Sequence, residues 1–234
     1  THLVDMEGSA PVETTGQVRW FKRPTPGNTY LTSLDPAMGT GGDYAAIQVF
    51  ELPSFEQVAE WHHNTTPMNH QVRILQQINK HIHDAIMDKD TTASPQIFYS
   101  MENNSIGEAA LLRVMDIGEE NIPGMFLSEP IRKGHRRKFR RGFNTTAKHK
   151  IDACTKFKEL VENDKMKLNS QLLISELKDF VASGMSYSAK AGQHDDLVSA
   201  CLLMTRMIKT LADFDPKIFE KWTDRTSELK PMPV

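Results

Sequence analysis

Residues 30–44 read YLTSLDPAMGTGGDY, a short apolar run followed by a proline and a cluster of glycines. The apolar run Tyr30–Asp35 is typical of a short strand, and the proline and glycine cluster that follow predict a tight turn. The chain then becomes rich in apolar and β-branched residues over Tyr44–Leu52, and a further strand is predicted over Glu56–His62. Three strands joined by short turns predict an antiparallel meander.

Beyond the meander, the spacing of apolar residues predicts alternating helices and strands. Side chains three and four residues apart favour a helix over Pro67–Met87, whereas Ile97–Met101 and Met125–Leu127 are predicted to be a fourth and a fifth strand. Four further helices are predicted. The first runs from Asn104 or Ser105 to Met115, and the second is capped by Thr145 or Thr146 and ends near Glu162. The third covers Leu172–Phe180 between two short strands, and the fourth runs from His194 to about Leu211.

The order of these elements favours an α/β fold. Five strands are expected to form one mixed sheet, an antiparallel meander plus parallel strands, flanked by helices. This domain is expected to span residues 29–213. Residues 1–28 lack sustained periodicity and are predicted to be a linker or an N-terminal arm, and residues 214–234 are predicted to be a loose C-terminal tail.

The charged residues are unevenly distributed. The formal net charge is −2, yet one short segment is strongly basic, which leaves the remainder of the chain acidic. The basic residues are Arg132, Lys133, Arg136, Arg137, Lys138, Arg140 and Arg141, followed near a predicted helix start by Lys148 and Lys150. Such a segment can bind a phosphate backbone, and the two lysines can reach a scissile phosphate; a merely solvated charged loop is the alternative.

No apolar run approaches the roughly 18 residues of a membrane helix and no signal peptide is visible, so an intracellular protein without a membrane partner is expected. Cys154 and Cys201 are expected to be buried free thiols. Five irregularly spaced histidines lack a nearby cysteine and are interpreted as surface residues rather than zinc ligands. They are His62, His63, His70, His81 and His83.

Four carboxylates stand at the ends of predicted elements. Asp35 ends the first strand, Glu102 ends the fourth, and Asp195 and Asp196 begin the last strong helix. Strands one and four are expected to lie side by side, and the helix start can pack beside them, so these carboxylates are predicted to converge. Taken singly, each has a structural alternative as a turn former, a solvated charge or a partner of the helix dipole.

Converging carboxylates repel one another strongly unless cations lie between them. Mg²⁺ suits a site made of few carboxylates plus phosphate and water. Two such ions about 3.5–4 Å apart activate a water and stabilise the leaving oxygen in phosphodiester cleavage. The pattern therefore predicts a metal-dependent phosphodiesterase site, beside which His194 either orients a carboxylate or a water, or caps the helix.

Three ordered motifs contain these acids: LDPAMGTGGDYAA at residues 34–46, MENN at residues 101–104 followed by Gly107, and HDDLV at residues 194–198. Together they resemble the nuclease motifs of the large terminase subunits of tailed bacteriophages, most closely T-even-like phages, over roughly residues 30–212. The resemblance implies an RNase H-like nuclease domain that uses Mg²⁺ or Mn²⁺ at a two-metal site. Its substrate would be double-stranded viral DNA concatemers, cut before and after a head is filled.

On this resemblance, Asp35, Glu102 and Asp196 are the catalytic carboxylates and metal ligands, with Asp195 and Asp43 as accessory candidates. The helix pattern places Asp195 nearer the apolar side than Asp196, and both residues remain candidate metal ligands. Large terminases also have an ATPase motor, but no GxxxxGK[ST] motif occurs in this sequence, so the motor is expected outside this chain. The small terminase subunit and the portal are further expected partners, in the host cell cytoplasm.

Two other functions are compatible with the pattern. Nucleotide-binding domains of the actin and sugar-kinase type also begin with an Asp-x-Gly-like turn after a first strand. They need two related halves, however, and have no use for Glu102 and Asp196 together. A catalytically silent DNA-binding platform could use the same basic segment, and only a cleavage assay separates it from a nuclease.

Overall fold

The computed structural model describes residues 3–130, 141–183 and 186–223. Its strands are β1 (Glu13–Thr15), β2 (Val18–Trp20), β3 (Thr29–Asp35), β4 (Ala45–Leu52), β5 (Glu56–His63), β6 (Gln96–Met101), β7 (Met125–Phe126), β8 (Phe180–Ser183) and β9 (Ser186–Ala189). Its helices are α1 (Met68–Lys89), α2 (Ser105–Ile117), α3 (Ala147–Glu162), α4 (Gln171–Asp179), α5 (Asp196–Ala212) and α6 (Pro216–Thr223).

Seven strands form one sheet in the order β1-β2-β5-β4-β3-β6-β7. The strands β3, β4 and β5 form the predicted antiparallel meander, whereas β6 pairs in the parallel direction with both β3 and β7. The sheet is therefore mixed, as predicted, and the first and fourth predicted strands, β3 and β6, are direct neighbours. Among the described residues, no helix is long and apolar enough to cross a lipid bilayer.

The predicted number of five strands is wrong, because β1 and β2 extend the sheet beyond β5. Both strands lie within residues 1–28, for which an irregular arm or linker was expected. The side chain of Trp20 on β2 is buried and lies against His81, with ring centroids 4.3 Å apart and ring planes tilted by 31°. Strands of three residues are too short for an alternating pattern to be recognised, so only their pairing with β5 defines them.

Two further segments differ from the prediction. The helix α6 lies within residues 214–234, for which a loose tail was expected, and its Ile218 is buried in the core. Residues 224–234 lie outside the described residues. After α4, the chain forms an antiparallel hairpin of β8 and β9 instead of the single short strand expected there. In both segments the apolar runs are too short to show a period by themselves.

The sheet separates two hydrophobic cores. On β3, the side chains of Tyr30 and Leu34 belong to the core formed with α1 and α2, whereas Leu31 belongs to the core formed with α3, α4 and α5. Successive side chains of a strand point to opposite faces, so Asp35 shares the face of Leu31. The same alternation on β6 directs Glu102 to this face. Both acids therefore lie on the side of the sheet that α5 covers.

Candidate active site

Asp35 and Glu102 meet at one edge of the sheet. Leu34 pairs with Met101 in the parallel register of β3 and β6, so the next residue along each strand is an acid. The backbone N–H of Glu102 donates to the Leu34 carbonyl oxygen at 3.2 Å, and the Glu102 side chain is close enough to raise the pKa of Asp35. Register and alternation thus bring the first two acidic motifs side by side, as predicted.

The residues that follow Glu102 hold it in place. Asn104 Nδ2 donates to Glu102 Oε2 at 3.0 Å, while Asn104 Oδ1 accepts the backbone N–H groups of Ile106 and Gly107 at the start of α2. Gly107 allows α2 to approach this closely, because a Cβ at that position would collide with the Glu102 carbonyl oxygen. Phe143 forms a β-bridge with Glu102 from the other side.

The helix α5 brings the third acidic motif to the same edge. Ser33 Oγ donates to the Ala200 carbonyl oxygen at 2.8 Å, which fixes the helix across β3. Asp196 lies one helical turn before Ala200, about 6 Å along the axis, and Asp35 lies two residues beyond Ser33, about 6–7 Å along the strand. The start of α5 therefore lies beside the end of β3, which places both Asp195 and Asp196 near Asp35.

Burial and neighbouring acids oppose the ionisation of Asp35 and Asp196. Burial raises the pKa of Asp35 well above its usual range, and Glu102, Asp196 and Asp195 raise it further. Burial, followed by the charge of Asp195, raises the pKa of Asp196 to about 6, although a backbone N–H and a histidine oppose the shift. A cation bound between these carboxyl groups would favour their ionised forms and lower their pKa values again.

The chemistry of the donor set fits a hard divalent cation, because carboxylate oxygens are the ligands that Mg²⁺ and Mn²⁺ prefer. Asp35 and Glu102 are already in contact. In the part of the chain that the structure describes, no three acidic, histidine or cysteine side chains are gathered closely enough to form a complete metal cluster. The described arrangement is therefore a carboxylate pair, with the acids of α5 within electrostatic range.

A cavity of about 180 Å³ opens beside Asp35 and Glu102. Its other wall is formed by α3 and α5 and carries three basic or titratable side chains, those of His149, Lys150 and Arg206. Of these, only Lys150 was among the residues predicted to contact DNA. The cavity therefore has an acidic side and a basic side, an arrangement that suits a phosphate bridging the two.

The basic side chains differ in their partners. Arg206 Nη2 donates to Glu129 Oε1 at 2.6 Å and to the Asn144 carbonyl oxygen at 3.1 Å, so this side chain ties α5 to the loop before α3. Lys150 Nζ lies 3.8 Å from Asp195 Oδ2 and its side chain is 24% exposed. Arg206 thus shapes the wall, whereas Lys150 can turn toward an anion in the cavity.

Of the other residues predicted to contact DNA, the structure describes Arg141 and Lys148, and neither lines this cavity. Arg141 forms an ion pair with Glu119, and its guanidinium lies 5.8 Å from the centroid of the Phe126 ring. Lys148 is exposed at the start of α3. Asp43 is exposed on the glycine-rich turn and acts on the site through its charge. Arg132, Lys133, Arg136, Arg137, Lys138 and Arg140 lie outside the described residues.

Two histidines lie beside the acids of α5. His62 was predicted to lie on the surface, but its side chain is only 17% exposed. It stacks on Tyr44, with 4.0 Å between the ring centroids. Burial, followed by the charge of Arg19, lowers the pKa of His62 to about 4. His194 Nδ1 lies 3.5 Å from Asp196 Oδ2, a position that can orient this carboxylate.

Glu176 was not identified from the sequence. It reaches the start of α5 from α4, where its Oε2 accepts the backbone N–H groups of Leu197 at 2.9 Å and Val198 at 3.2 Å. Burial raises its pKa to about 8, and the charge of Asp196 adds to the shift while these hydrogen bonds oppose it. No sequence motif marks Glu176, because its contacts are 21 and 22 residues away along the chain.

A mixed sheet covered by helices, with acids at the ends of two neighbouring parallel strands and at the start of the helix across them, defines an RNase H-like fold. The family model of the terminase RNaseH-like domain matches residues 32–207. The chain therefore belongs to this family, as its three motifs indicated. The narrower resemblance to T-even-like phages stays a prediction.

Solved structures of terminase nucleases share the fold. The large terminase nuclease of the thermophilic phage G20c with bound magnesium is 16% identical, with a TM-score of 0.63, over 87% of this chain and 94% of that chain. The large terminase nuclease domain of Thermus phage P74-26 is 16% identical, with a TM-score of 0.59, and the match covers 86% of this chain and 90% of that chain. The human cytomegalovirus terminase nuclease domain, soaked with Mn and inhibitor-bound, is 13% identical, with a TM-score of 0.54. That match covers 86% of this chain and 88% of the cytomegalovirus chain.

Proposed function

We propose that this domain is a divalent-metal-dependent endonuclease that cuts double-stranded viral DNA concatemers during genome packaging. The observation that carries the proposal is the meeting of Asp35 with Glu102 at the edge where α5 begins. Burial and then the charge of Glu102 raise the pKa of Asp35, whose charged neighbours are other acids. Membership of the terminase family supplies the packaging context.

The proposed metal ligands are Asp35, Glu102 and Asp196, with Asp195 and Asp43 as accessory ligands. Mg²⁺ or Mn²⁺ at a two-metal site would supply an activated water and stabilise the leaving oxygen of the phosphodiester. The G20c nuclease structure with bound magnesium and the Mn-soaked cytomegalovirus structure support this choice of ions.

Other residues of the chain would bind the DNA or hold the cavity wall in position. Lys150, across the cavity from the acids, would hold a non-bridging oxygen of the scissile phosphate, since its ammonium is the accessible cation of that wall. Arg206 would keep the wall in place through Glu129. The basic segment and Lys148 would hold the DNA backbone without reading its sequence, because phosphate contacts carry no base information.

This function requires partners that the chain does not supply. We infer that an ATPase motor domain outside this chain moves the DNA, and that the small terminase subunit and the portal complete the machinery in the host cell cytoplasm. The family match and the absence of a GxxxxGK[ST] motif from the sequence support this inference.

The decisive experiment is incubation of the purified chain with supercoiled plasmid and Mg²⁺ or Mn²⁺, with a chelator control. We expect metal-dependent nicking and linearisation, and a loss of cleavage by orders of magnitude in Asp35→Asn, because that change removes a ligand charge at constant size. The matched control is Asp88→Asn, the same change at an exposed position of α1, which should cut normally.

Two outcomes would contradict the proposal. Near-normal cutting by Asp35→Asn would remove Asp35 from the catalytic site. DNA binding by the unmodified protein without any metal-dependent cleavage would favour a DNA-binding platform instead.

A further inference from the structure

The start of α5 is capped differently from the starts of its neighbours. The helices α2, α3 and α4 are each capped by the side chain of their own N-cap residue, namely Asn104, Thr146 and Ser170. In α5 the N-cap residue is Asp195, a residue type that normally caps, but its side chain makes no capping hydrogen bond. Its own N-cap side chain therefore leaves the first backbone N–H groups of α5 open to another acceptor.

Glu176 supplies that acceptor from α4. An N-cap side chain normally accepts the backbone N–H of the second or third helical residue. In α5 these residues are Leu197 and Val198, and Glu176 Oε2 accepts from both, at 2.9 and 3.2 Å. The Glu176 side chain is 13% exposed, so these hydrogen bonds are largely shielded from water.

Capping by Glu176 frees the two aspartates of α5. Asp195 Oδ2 accepts the Ala189 backbone N–H at 3.3 Å and lies 3.8 Å from Lys150 Nζ, at the basic wall. Asp196 acts electrostatically on Asp35 at the other wall. If Asp195 capped its own helix, its carboxylate would be turned back onto the backbone of α5 and away from Lys150.

The position of Glu176 is set by the sheet. Its helix α4 begins at residues whose backbone N–H groups, those of Asn169 and Ser170, both donate to Gln57 Oε1 at 2.8 Å. The Ser170 hydroxyl in turn donates to the buried Glu60. These contacts anchor α4 to β5, so Glu176 is held at a fixed distance from the start of α5.

We propose that Glu176 is a positioning residue of the nuclease site, which caps α5 in place of Asp195 so that both aspartates of the third motif are presented to divalent metal and substrate. The inference rests on the proposed function, because it concerns the geometry of the same metal site. Glu176 acts through the backbone of α5 and touches neither metal nor DNA. Partners that orient metal ligands typically contribute about 10–100-fold to metal affinity.

The test compares Glu176→Ala with Glu176→Gln in the full chain, with Mn²⁺ affinity measured by isothermal titration calorimetry. Alanine removes the acceptor, so we expect Mn²⁺ binding to weaken about tenfold or more. Glutamine keeps an acceptor oxygen for the N–H groups of Leu197 and Val198, so it should bind Mn²⁺ within about threefold of the unmodified protein, well short of the tenfold loss. Thr146→Ala, which removes the cap of α3, is the matched control: it should lower the melting temperature without weakening Mn²⁺ binding.

Each outcome decides the proposal. Unchanged Mn²⁺ affinity in Glu176→Ala overturns it, and so does a glutamine variant as defective as the alanine variant, because Glu176 would then be a ligand itself. If Glu176→Ala does not fold, Glu176→Asp takes its place, since a side chain one methylene shorter cannot reach both N–H groups. If the unmodified protein binds no Mn²⁺, or Asp196→Asn binds it normally, the proposed function fails before the role of Glu176 is reached.

Discussion

Buried or half-buried acids occur in two regions of the sheet, and the charged neighbours of these acids differ between the two regions. Near the start of β3, Glu51 is 1% exposed and is bonded to Lys22. On β5, Glu60 is completely buried, and Arg19 Nη2 lies 2.9 Å from its Oε1. In this region each acid has a cationic partner from β2 or from the residues just after it.

At the far end of β3 the neighbours are of the opposite kind. The charges that act on Asp35 are those of Glu102, Asp196 and Asp195, all of them acids. A buried ion pair is neutralised within the protein, whereas half-buried acids that face other acids are stabilised by protonation or by a cation from solution. The contrast separates the carboxylates that are paired within the fold from those that are the proposed metal ligands.

The largest expected effect on stability lies in the paired region. Glu60→Ala leaves Arg19 without its partner, and breaking a buried pair costs about 3–5 kcal/mol. Because the Arg19 side chain is 29% exposed, the loss should fall at the lower end of this range. Asp35→Asn, by contrast, should leave the metal-free protein equally stable or more stable. Urea unfolding without metal measures both, and equal destabilisation by the two changes would erase the contrast.

The next effect is the response of the acidic edge to metal. A ligand that binds only the folded state stabilises it by about 2.7 kcal/mol at one hundred times its dissociation constant, or about 5–10 °C in melting temperature for a domain of this size. We expect this shift with Mn²⁺ in the unmodified protein. The triple variant of Asp35→Asn, Glu102→Gln and Asp196→Asn should show none. An equal shift in both proteins would mean that the ion binds elsewhere.

A smaller effect is expected from pH. The pKa values of Asp196 and Glu176 are raised to about 6 and about 8 in the folded protein, above their ordinary values of 3.8 and 4.5. The folded state thus binds these protons more tightly than the unfolded state. The resulting stability is complete below pH 4 and is lost as pH rises through about 6 and then about 8.

Urea unfolding of the metal-free protein between pH 5 and pH 8.5 measures this loss. Glu176→Gln should show a shallower decline, because the group with the higher pKa no longer titrates. A steeper or unchanged decline in this variant would contradict the assignment of the shift to Glu176.

The smallest effect on folding is expected from the basic segment. Changing Arg136, Arg137, Arg140 and Arg141 to Gln should leave the free energy of unfolding nearly unchanged but weaken binding to duplex DNA. Each lost phosphate contact lowers the salt dependence of log affinity by about 0.9, so the slope should fall by up to about four. An unchanged slope would show that the segment does not contact phosphates, and cleavage abolished even at saturating DNA would place one of these arginines in the active site.

Much of the fold was predictable where a pattern runs for several turns or residues. The meander, α1 and α5 follow from such patterns, and the caps Asn104 and Thr146 were among the predicted helix starts. The strands β1 and β2 and the hairpin were not predicted, since three or four residues carry too little periodicity. Their stability comes from neighbours that are distant in the sequence.

The positions of the acids at the ends of strands and helices could be predicted from the sequence, because a strand or helix end is a local property of the chain. The sequence did not reveal Glu176 or Arg206, since each acts through groups that only the packing of α4, α5 and the loop before α3 brings within hydrogen-bond distance. Only the packing of α4 against α5 brings Glu176 to the backbone N–H groups at the start of α5, where Asp195 makes no capping hydrogen bond. A hydrogen bond depends on distance in space, and spacing along the sequence reports that distance only within a single element.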